Sequence, residues 1–410
     1  VLEEVTGVPV LPVFWAATDD SDFLEASWTV VASGGLTRKL TLADKPADGT
    51  RLADVLLGDV GGLLGELSQA CGSAADRRVL ELVTQSFVAG TSFGSAYVRL
   101  LRGLLEPMGI AVLDAAHPEV SRAADPLLRR ALEQHASLAS ALVERDSEIR
   151  AAGYRPQVLF DPGRTLVFGV AAGRRQRIAA TAAEEAMRLF PIGALSPNVL
   201  LRPVVERSLL PTAAYMAGPG ELAYFAQASA VANALAAPLP LALPRWSTTL
   251  LEPEVARVLE KYHLEIGDLA NRHEVEKRLA RASWPDPVSQ ALRRLRHSLD
   301  VEVGLLAAEI RASGPLLGPA AVASLAQWIH WRVDRFERRL NAAVKKREEE
   351  MMHDIALASA SLFPDGVRQE RVLNILPLLC RFGLEVLDRM RNEAEYHARA
   401  ILLPGAAALA

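Results

Sequence analysis

The sequence predicts an α/β protein in which a parallel-sheet core carries an insertion and is followed by a long antiparallel coiled-coil arm. Three observations predict it. Over the first 250 residues, short β-rich runs that are apolar on consecutive residues alternate with helical stretches, the mark of strands covered on both faces. Past Glu252 the apolar residues step by three and four instead, as in helices packed along a seam. A chain of 410 residues is also too long for one hydrophobic core, which seldom outgrows about 250–300 residues.

Taken in order, the strand candidates are VPVLPVFW at 8–15, IAVL at 110–113, and the runs 157–160, 165–170, 198–201 and 239–243. Helices are expected at 77–87, 94–105 and 180–189. This alternation describes a Rossmann-like core. Residues 118–150 read as a helical excursion, and 154–178 as an inserted β ribbon with a turn at DPGR, 161–164. The stretch 222–244 carries no charge and is long enough to span a bilayer. Pro238, Pro240 and Pro244 break it, so it reads as a buried helix and then a core strand. In the arm, one apolar track runs Val255, Val258, Tyr262, Ile266, Leu269, and a second runs Leu292, Leu295, Leu299, Val303, Leu306, Ile310. After the turn at 313–319 a third runs Val322, Leu325, Ile329, Val333, Phe336, Leu340, Val344. The domain boundaries expected are 1–117 and 191–250 for the core, 118–190 for the insertion, 251–358 for the arm, and 359–410 for helices closing on the core. A bare two-helix arm leaves apolar surface in water, so a homodimer through the arm is expected.

Composition narrows the partners. With 45 Lys+Arg against 49 Asp+Glu the net charge is −4, which removes the broad positive field of a nucleic-acid or anionic-membrane binder. Basic residues on the arm (Lys277, Arg278, Arg281, Arg293, Arg294, Arg296) are interleaved with Glu274, Glu276 and Asp300, as on a solvated helix, and no aromatic platform accompanies them. Two cysteines without a C-x-x-C pair provide neither a disulfide framework nor a thiolate zinc site, which fits a reducing cytoplasm. The eight histidines are scattered with no H-x-x-x-H pair, so no metal is expected. The chain opens on Val1 in what reads as the tail of a helix, and a natural start further upstream is expected.

Several motifs invite chemistry. Gly90-Thr91-Ser92-Phe93-Gly94 matches G-x-S-x-G, but a nucleophile elbow needs a strand before it; here a helix is expected at 77–87, and Thr91 or Ser92 suits an N-cap. Trp15-Ala16-Ala17-Thr18-Asp19-Asp20-Ser21-Asp22 follows the first strand, at the strand end where open α/β sheets hold ligands; a solvated turn is the competing reading. Further on, Ser196, Asn198 and Arg202 precede Tyr215 and the turn Gly218-Pro219-Gly220, with Glu221 in the first turn of a helix. A carboxylate there repels an anion and favours an amine or sugar hydroxyl, leaving Arg202 for a carboxylate or phosphate. Dipole complement and turn glycines are the plainer account of the same residues.

Together and in this order, PVFWAATDDSDF (12–23), LSPNVLLRP (195–203), LLPTAAYMAGPGELAYFAQ (209–227), LPRWS (243–247) and QERVLNILPLLCRFG (369–383) resemble the cysteine-adding ligases of bacillithiol biosynthesis. The resemblance implies a Rossmann-type core related to class I aminoacyl-tRNA synthetases, with connecting-peptide insertions and a dimerising coiled coil. It implies the joining of L-cysteine, through its carboxyl, to the amine of glucosaminyl-malate, with ATP or another adenine nucleotide as cofactor. Residues and resemblance together nominate Asp20, Asp22 and Glu221 as catalytic groups. Trp15, Thr18, Asn198, Arg202, Tyr215, Gly218, Gly220 and Arg245 are nominated to bind substrate. Family members usually carry Glu-Asp-His-Asp where this chain has Asp19-Asp20-Ser21-Asp22, so the obvious general acid or base of that turn is replaced by Ser21. They also carry a Gly-rich upstream segment not found in this sequence. A catalytically silent nucleotide or sugar binder and a coiled-coil interaction scaffold are the alternative functions.

Overall fold

The computed structural model describes residues 1–73, 76–314 and 317–403. The chain divides into two compact units, one comprising Val1–Thr29, Lys39–Ser247 and Asn374–Ala410, the other Val30–Arg38 and Thr248–Leu373.

In the first unit a short helix α1 (Leu2–Thr6) precedes β1 (Val13–Ala16). A one-turn α2 (Phe23–Ala26) leads to the hairpin β2 (Trp28–Ser33) and β3 (Leu36–Thr41), of which Val30–Arg38 belongs to the second unit. That hairpin was not among the expected strands, although its loop, Gly34-Gly35, is a strong hairpin signal; both glycines take positive φ, 58° and 77°. Helices α3 (Gly61–Cys71), α4 (Arg78–Ser86) and α5 (Phe93–Leu105) then carry the chain back to β4 (Ala111–Asp114). β4 pairs parallel with β1 in register Val13↔Ala111 through Ala16↔Asp114. Ala16, Val112 and Val98 from α5 close a small core behind this pair. The G-x-S-x-G match sits after helix α4 rather than a strand, and Ser92 caps α5 by accepting from Ser95 N at 3.1 Å.

The insertion opens on α6 (Pro118–Glu133) and α7 (His135–Ala151) and continues as β5 (Arg164–Ala171) and β6 (Arg174–Ala179). This ribbon reverses at Ala172-Gly173, both at positive φ, not at 161–164, where Asp161 forms a local turn with Gly163 N. α8 (Ala183–Leu189) follows, and β7 (Leu195–Pro197) pairs antiparallel with β5 to give the order β6-β5-β7. The expected strand at 157–160 is not a strand. Its backbone is paired instead by a side chain: Gln227 Oε1 accepts from Val158 N at 3.0 Å and Gln227 Nε2 donates to Val158 O at 2.8 Å. The expected strand at 198–201 is a turn, because Asn198 Oδ1 takes the N–H groups of Leu200 and Leu201.

From there α9 (Arg202–Leu209), β8 (Ala214–Ala217), α10 (Pro219–Ala234) and β9 (Leu241–Pro244) complete the core. β8 and β9 pair parallel, Ala214↔Leu241 through Ala217↔Pro244, with α10 as the crossover that such a pair requires. Residues 222–244 are thus the expected buried helix and strand. Among the described residues no helix is long and apolar enough to cross a membrane. The main core sits around this crossover and draws on helices, the β6-β5-β7 sheet and the turn after β7, with Leu128, Leu132, Leu142, Leu166, Val167, Leu200, Leu201, Val204 and Val231 all buried. Gln227 is fully buried in it and also donates to Asp146 Oδ1 at 2.9 Å. Gln227→Leu leaves Val158 N–H and C=O and the Asp146 carboxylate short of partners. At about 1–3 kcal/mol per stranded group, a loss of about 3 kcal/mol is expected in urea unfolding; a loss below 1 kcal/mol contradicts this account.

Besides Val30–Arg38, the second unit consists of α11 (Pro253–Tyr262) and α12 (Arg272–Ala282), then α13 (Asp286–Ala312) and α14 (Pro319–Arg347), and closes with α15 (Glu349–Leu362) and the one-turn α16 (Gln369–Val372). α11, α12, α15 and the turn before α12 share a core of Val255, Val258, Leu269, Val275, Ile355 and Leu362. α13 and α14 run antiparallel: Trp284 Nε1 donates to Asn341, Arg296 holds Asp334 and Glu337, and Asp300 meets His330. Part of the expected turn, at 315 and 316, lies outside the described residues. Leu292, Val333 and Val344 are buried in the seam with Leu299 and Leu340 against them. Leu295, Leu306, Leu325 and Phe336, expected on the same tracks, face solvent, because two helices can cover only one narrow stripe of each other. An aromatic platform does accompany charge here: Arg332 lies 5.0 Å from the Trp328 ring and 5.3 Å from that of Trp331.

The chain returns to the first unit as α17 (Leu376–Phe382) and α18 (Glu385–Leu402). α17 packs on α3 and α4, bringing the buried thiols of Cys71 and Cys380 into hydrogen-bond contact. Burial pushes Cys71 up to about 12, so it is an inert packing thiol.

Candidate functional site

The parallel pair β1-β4 delivers the polar loop that follows β1 to the C-terminal end of the strands. Thr18, buried, donates its hydroxyl to the Asp114 carboxylate at the end of β4 and accepts from Ala116 N at 3.2 Å. Its role is to stitch the two strand ends together. The loop is held from the other side by Ala53 N donating to Thr18 O and Leu52 N to Asp20 O.

Asp20 lies between two arginines. Arg175 Nη1 donates to Oδ1 at 2.7 Å and Arg202 Nη2 to Oδ2 at 2.8 Å, while Ser21 N adds a third bond to Oδ1 at 2.8 Å. Burial opposes ionisation of Asp20, but Arg202 and Arg175 prevail and hold it below the usual carboxylate range. A carboxylate so satisfied is an anchor rather than a base. Arg175 comes from β6, with its side chain only 4% exposed; Nη2 donates to Pro197 O at 2.7 Å, and the guanidinium lies 4.1 Å from the Phe168 ring centre. Burial lowers its pKa while Asp19 and Asp20 oppose that. Arg202 opens α9; burial works against its charge, yet Asp19 and Asp20 raise its pKa overall. Asp19 itself accepts from Ser196 Oγ at 2.9 Å.

One turn along α9, Glu206 is buried beside Arg202. Burial pushes its carboxyl up to about 8, with Arg202 opposing and Asp19 and Glu221 adding to the rise. Beyond it, Tyr215 on β8 donates its hydroxyl to Glu221 Oε1 at 3.0 Å, and Glu221 Oε2 caps α10 by accepting from Gly218 N at 2.6 Å. The Tyr215 and Tyr224 hydroxyls are hydrogen-bonded to each other; burial, with Glu206 and Glu221 nearby, raises Tyr215. The Arg245 guanidinium lies over Gly218, where an added Cβ would come within 3.3 Å of Arg245 Cζ and Glu221 Oε2. At Gly220 the nearest atom to an added Cβ is Gln157 Nε2, 3.8 Å away, so that position does not need glycine.

Of the residues nominated from sequence, the structure therefore gathers Asp20 with Arg202, and Tyr215 with Gly218, Glu221 and Arg245. Charge interactions through Glu206 and Asp19 join the two groups. Thr18 and Asn198 spend their side-chain oxygens on the backbone and on Asp114. Asp22 is exposed and makes no capping bond. Trp15 is on β1, its Nε1 buried without a partner among the described residues. Sequence reasoning missed Arg175 and Glu206. Arg175 was hidden in the RRQR run of the ribbon, where nothing local separates a buried arginine from its exposed neighbours. Glu206 had a signal, an acid one turn after Arg202 and next to the buried Val204 and Val205.

An ion-paired anchor beside an uncompensated, protonated acid is an arrangement suited to holding a charged substrate and moving a proton. Comparisons with known proteins agree in placing this unit. Residues 1–246 match the family model described as the N-terminal Rossmann-like domain of bacillithiol biosynthesis BshC. Residues 248–400 match the C-terminal coiled-coil domain of the same family. A protein of Solibacter usitatus named "Putative cysteine ligase BshC" is 32% identical over 405 residues, covering 95% of this chain and 76% of the relative. Relatives of the same name from Koribacter versatilis and Salinibacter ruber are each 30% identical, covering 95% and 94% of this chain and 75% and 74% of their own lengths. The parallel-strand core and helical hairpin are the two parts those models describe, and the chain belongs to the BshC family of bacillithiol biosynthesis.

Proposed function

We propose that this chain is a ligase that joins L-cysteine, through its carboxyl group, to the amine of glucosaminyl-malate. Family membership supplies the reaction class, and the observation that carries it to a site is the Arg175–Asp20–Arg202 anchor at the ends of the parallel strands. The Asp20 loop is the segment in which Ser21 stands where the family resemblance implies a histidine, and Glu206 gives the same cluster a titratable acid without it. Arg245 is exposed and makes no ion pair among the described residues. Its planar fork suits the malate carboxylates better than Arg202, which already holds Asp20.

Amide formation from a free carboxylate runs uphill in water, so the cysteine must arrive as an activated acyl group, and an adenine nucleotide is the activating agent the family resemblance implies. The α10 N-terminus does not fit its phosphates, because the Glu221 carboxylate already fills that helix end. The test supplies cysteine, glucosaminyl-malate and ATP and follows the thiol product by mass spectrometry. Turnover is expected, with Arg245→Ala raising KM for glucosaminyl-malate at least tenfold at nearly constant kcat. Binding without turnover instead identifies a silent relative, and no binding of any of the three removes the ligase reading.

The arm supports a homodimer, in the cytoplasm that the two reduced cysteines suit. Trp328 and Phe336, more than half exposed, share α14 with Leu325 and Trp331, an apolar face that a second copy would cover. Trp328→Glu with Trp331→Glu is expected to convert the dimer to monomer in sedimentation velocity; an unchanged sedimentation coefficient removes this surface from the interface.

A further inference from the structure

Two buried carboxylate oxygens in the cluster have nothing to hold. Asp19 gives Oδ2 to Ser196, while its Oδ1 is buried without a donor among the described residues; Glu206 Oε1 is in the same condition. The two residues are 7% and 5% exposed, and each acts electrostatically on the other's neighbourhood, Asp19 favouring the protonated form of Glu206. Buried acceptors left without donors are costly and rare, and two in one cluster call for a common partner.

Among the described residues the cluster's unspent buried donors, Arg175 Nε and Arg202 Nε, reach neither oxygen. The groups facing Glu206 are Arg202 on its own helix, Asp19 from the loop after β1, Tyr215 from β8, and Glu221 and Tyr224 from α10. On α6, which also packs against α9, the buried Asp125 is held by Arg129 and Gly193 N. Arg202 turns Nη2 to Asp20, the Tyr215 proton goes to Glu221, and the Tyr224 proton is left for Tyr215. An anionic ligand would be repelled by both carboxyl groups, and a hydroxyl brings a single proton. A primary ammonium brings three N–H donors and a positive charge, enough for both oxygens.

We propose that Asp19 and Glu206 form a subsite for a primary amine, in which Glu206 is the base that takes the amine's proton. This rests on the ligase reading, where the sugar amine is the nucleophile. In the bound state R–NH3+ passes one proton to the Glu206 carboxylate, leaving R–NH2 with a lone pair and Glu206 as the neutral acid. The nitrogen then attacks the activated acyl carbon. The C–N bond forms, the bond to the acyl leaving group breaks, and the leaving group departs with the electron pair and accepts the second amine proton. Asp19, fixed by Ser196, holds the remaining N–H groups. Glu206 suits the proton transfer because, near 8, it is matched to an amine at neutral pH.

The free protein holds the Glu206 proton at pH 7 and the free ligand holds the ammonium proton, yet the complex shares only one between them. Binding of glucosaminyl-malate should thus release close to one proton, read by titration calorimetry in two buffers of different ionisation enthalpy. N-acetylated glucosaminyl-malate, with no basic amine, should release none. In Glu206→Gln, which mimics the neutral acid in size and charge, the amine ligand should bind at least tenfold more weakly and release no proton. Asp19→Asn should weaken the amine ligand tenfold and leave the N-acetyl ligand unchanged. Undiminished proton release in Glu206→Gln, or equal loss of both ligands in Asp19→Asn, overturns the subsite while leaving the ligase reading intact; failure of wild-type protein to bind either ligand overturns both.

Discussion

Arg175→Ala is expected to destabilise the chain by about 3–5 kcal/mol, the usual cost of removing one partner from a buried ion pair, and to abolish turnover. The arginine makes two hydrogen bonds and a ring contact from a nearly dry position. Removing it strips Asp20 Oδ1 of its charged donor, leaves Pro197 O without a partner, and uncovers Phe168. Arg202 cannot compensate, since its bond is to the other oxygen of Asp20. Arg175→Lys should recover less than half of the loss: an ammonium is a single point of charge and cannot serve Asp20 and Pro197 through one rigid fork. The double variant with Asp20→Asn should be less destabilised than the sum of the two single changes, by about 1–3 kcal/mol, because the stranded carboxylate has gone. Urea unfolding of wild type, the three single variants and the double variant measures the stabilities, and the thiol-product assay measures the turnover. Additive effects, or a loss below 1 kcal/mol for Arg175→Ala, mean that Asp20 is held by Arg202 alone.

The same arginine marks the limit of what the sequence could say. Period and spacing located β1, β4, the buried α10-β9 run and the hairpin arm, because those signals are local and repeat along the chain. The hydrophobic period could not distinguish 157–160 from a strand, since the partner of Val158 is a glutamine side chain 69 residues further on. Nor could it separate Leu292, buried in the seam, from Leu295, exposed one step along the same track. In the site, Asp20 and Arg202 were legible because each lies in a motif beside a turn. Arg175 was not, since its importance comes from Asp20, 155 residues away. Asn198 and Glu221 were read as ligand-facing groups, yet their oxygens serve the turn after β7 and the cap of α10. Short polar side chains near turns pair with the nearest backbone N–H first, and composition does not reveal which of them are left over for a ligand.

Glu206 is left over, and its ionisation should be visible in the stability of the whole chain. Its carboxyl lies at about 8 in the folded protein against 4.5 when free, so the folded state binds the proton more tightly than the unfolded state does. This contribution is therefore complete below 4.5 and is lost as pH rises through 8. Between pH 6 and 9 wild type should lose about 2–3 kcal/mol relative to Glu206→Gln, which has no proton to lose. Urea unfolding of both proteins at pH 6, 7.5 and 9 measures the difference, and parallel curves would mean that Glu206 is ionised throughout. The same titration should govern substrate capture. Below 8 an arriving ammonium must displace the Glu206 proton before the two can pair, so the KM for the amine substrate should fall as pH rises toward 8. Above the pKa of the amine itself this advantage ends, because the ligand then arrives neutral and the ionised, buried Glu206 weakens the fold that presents it.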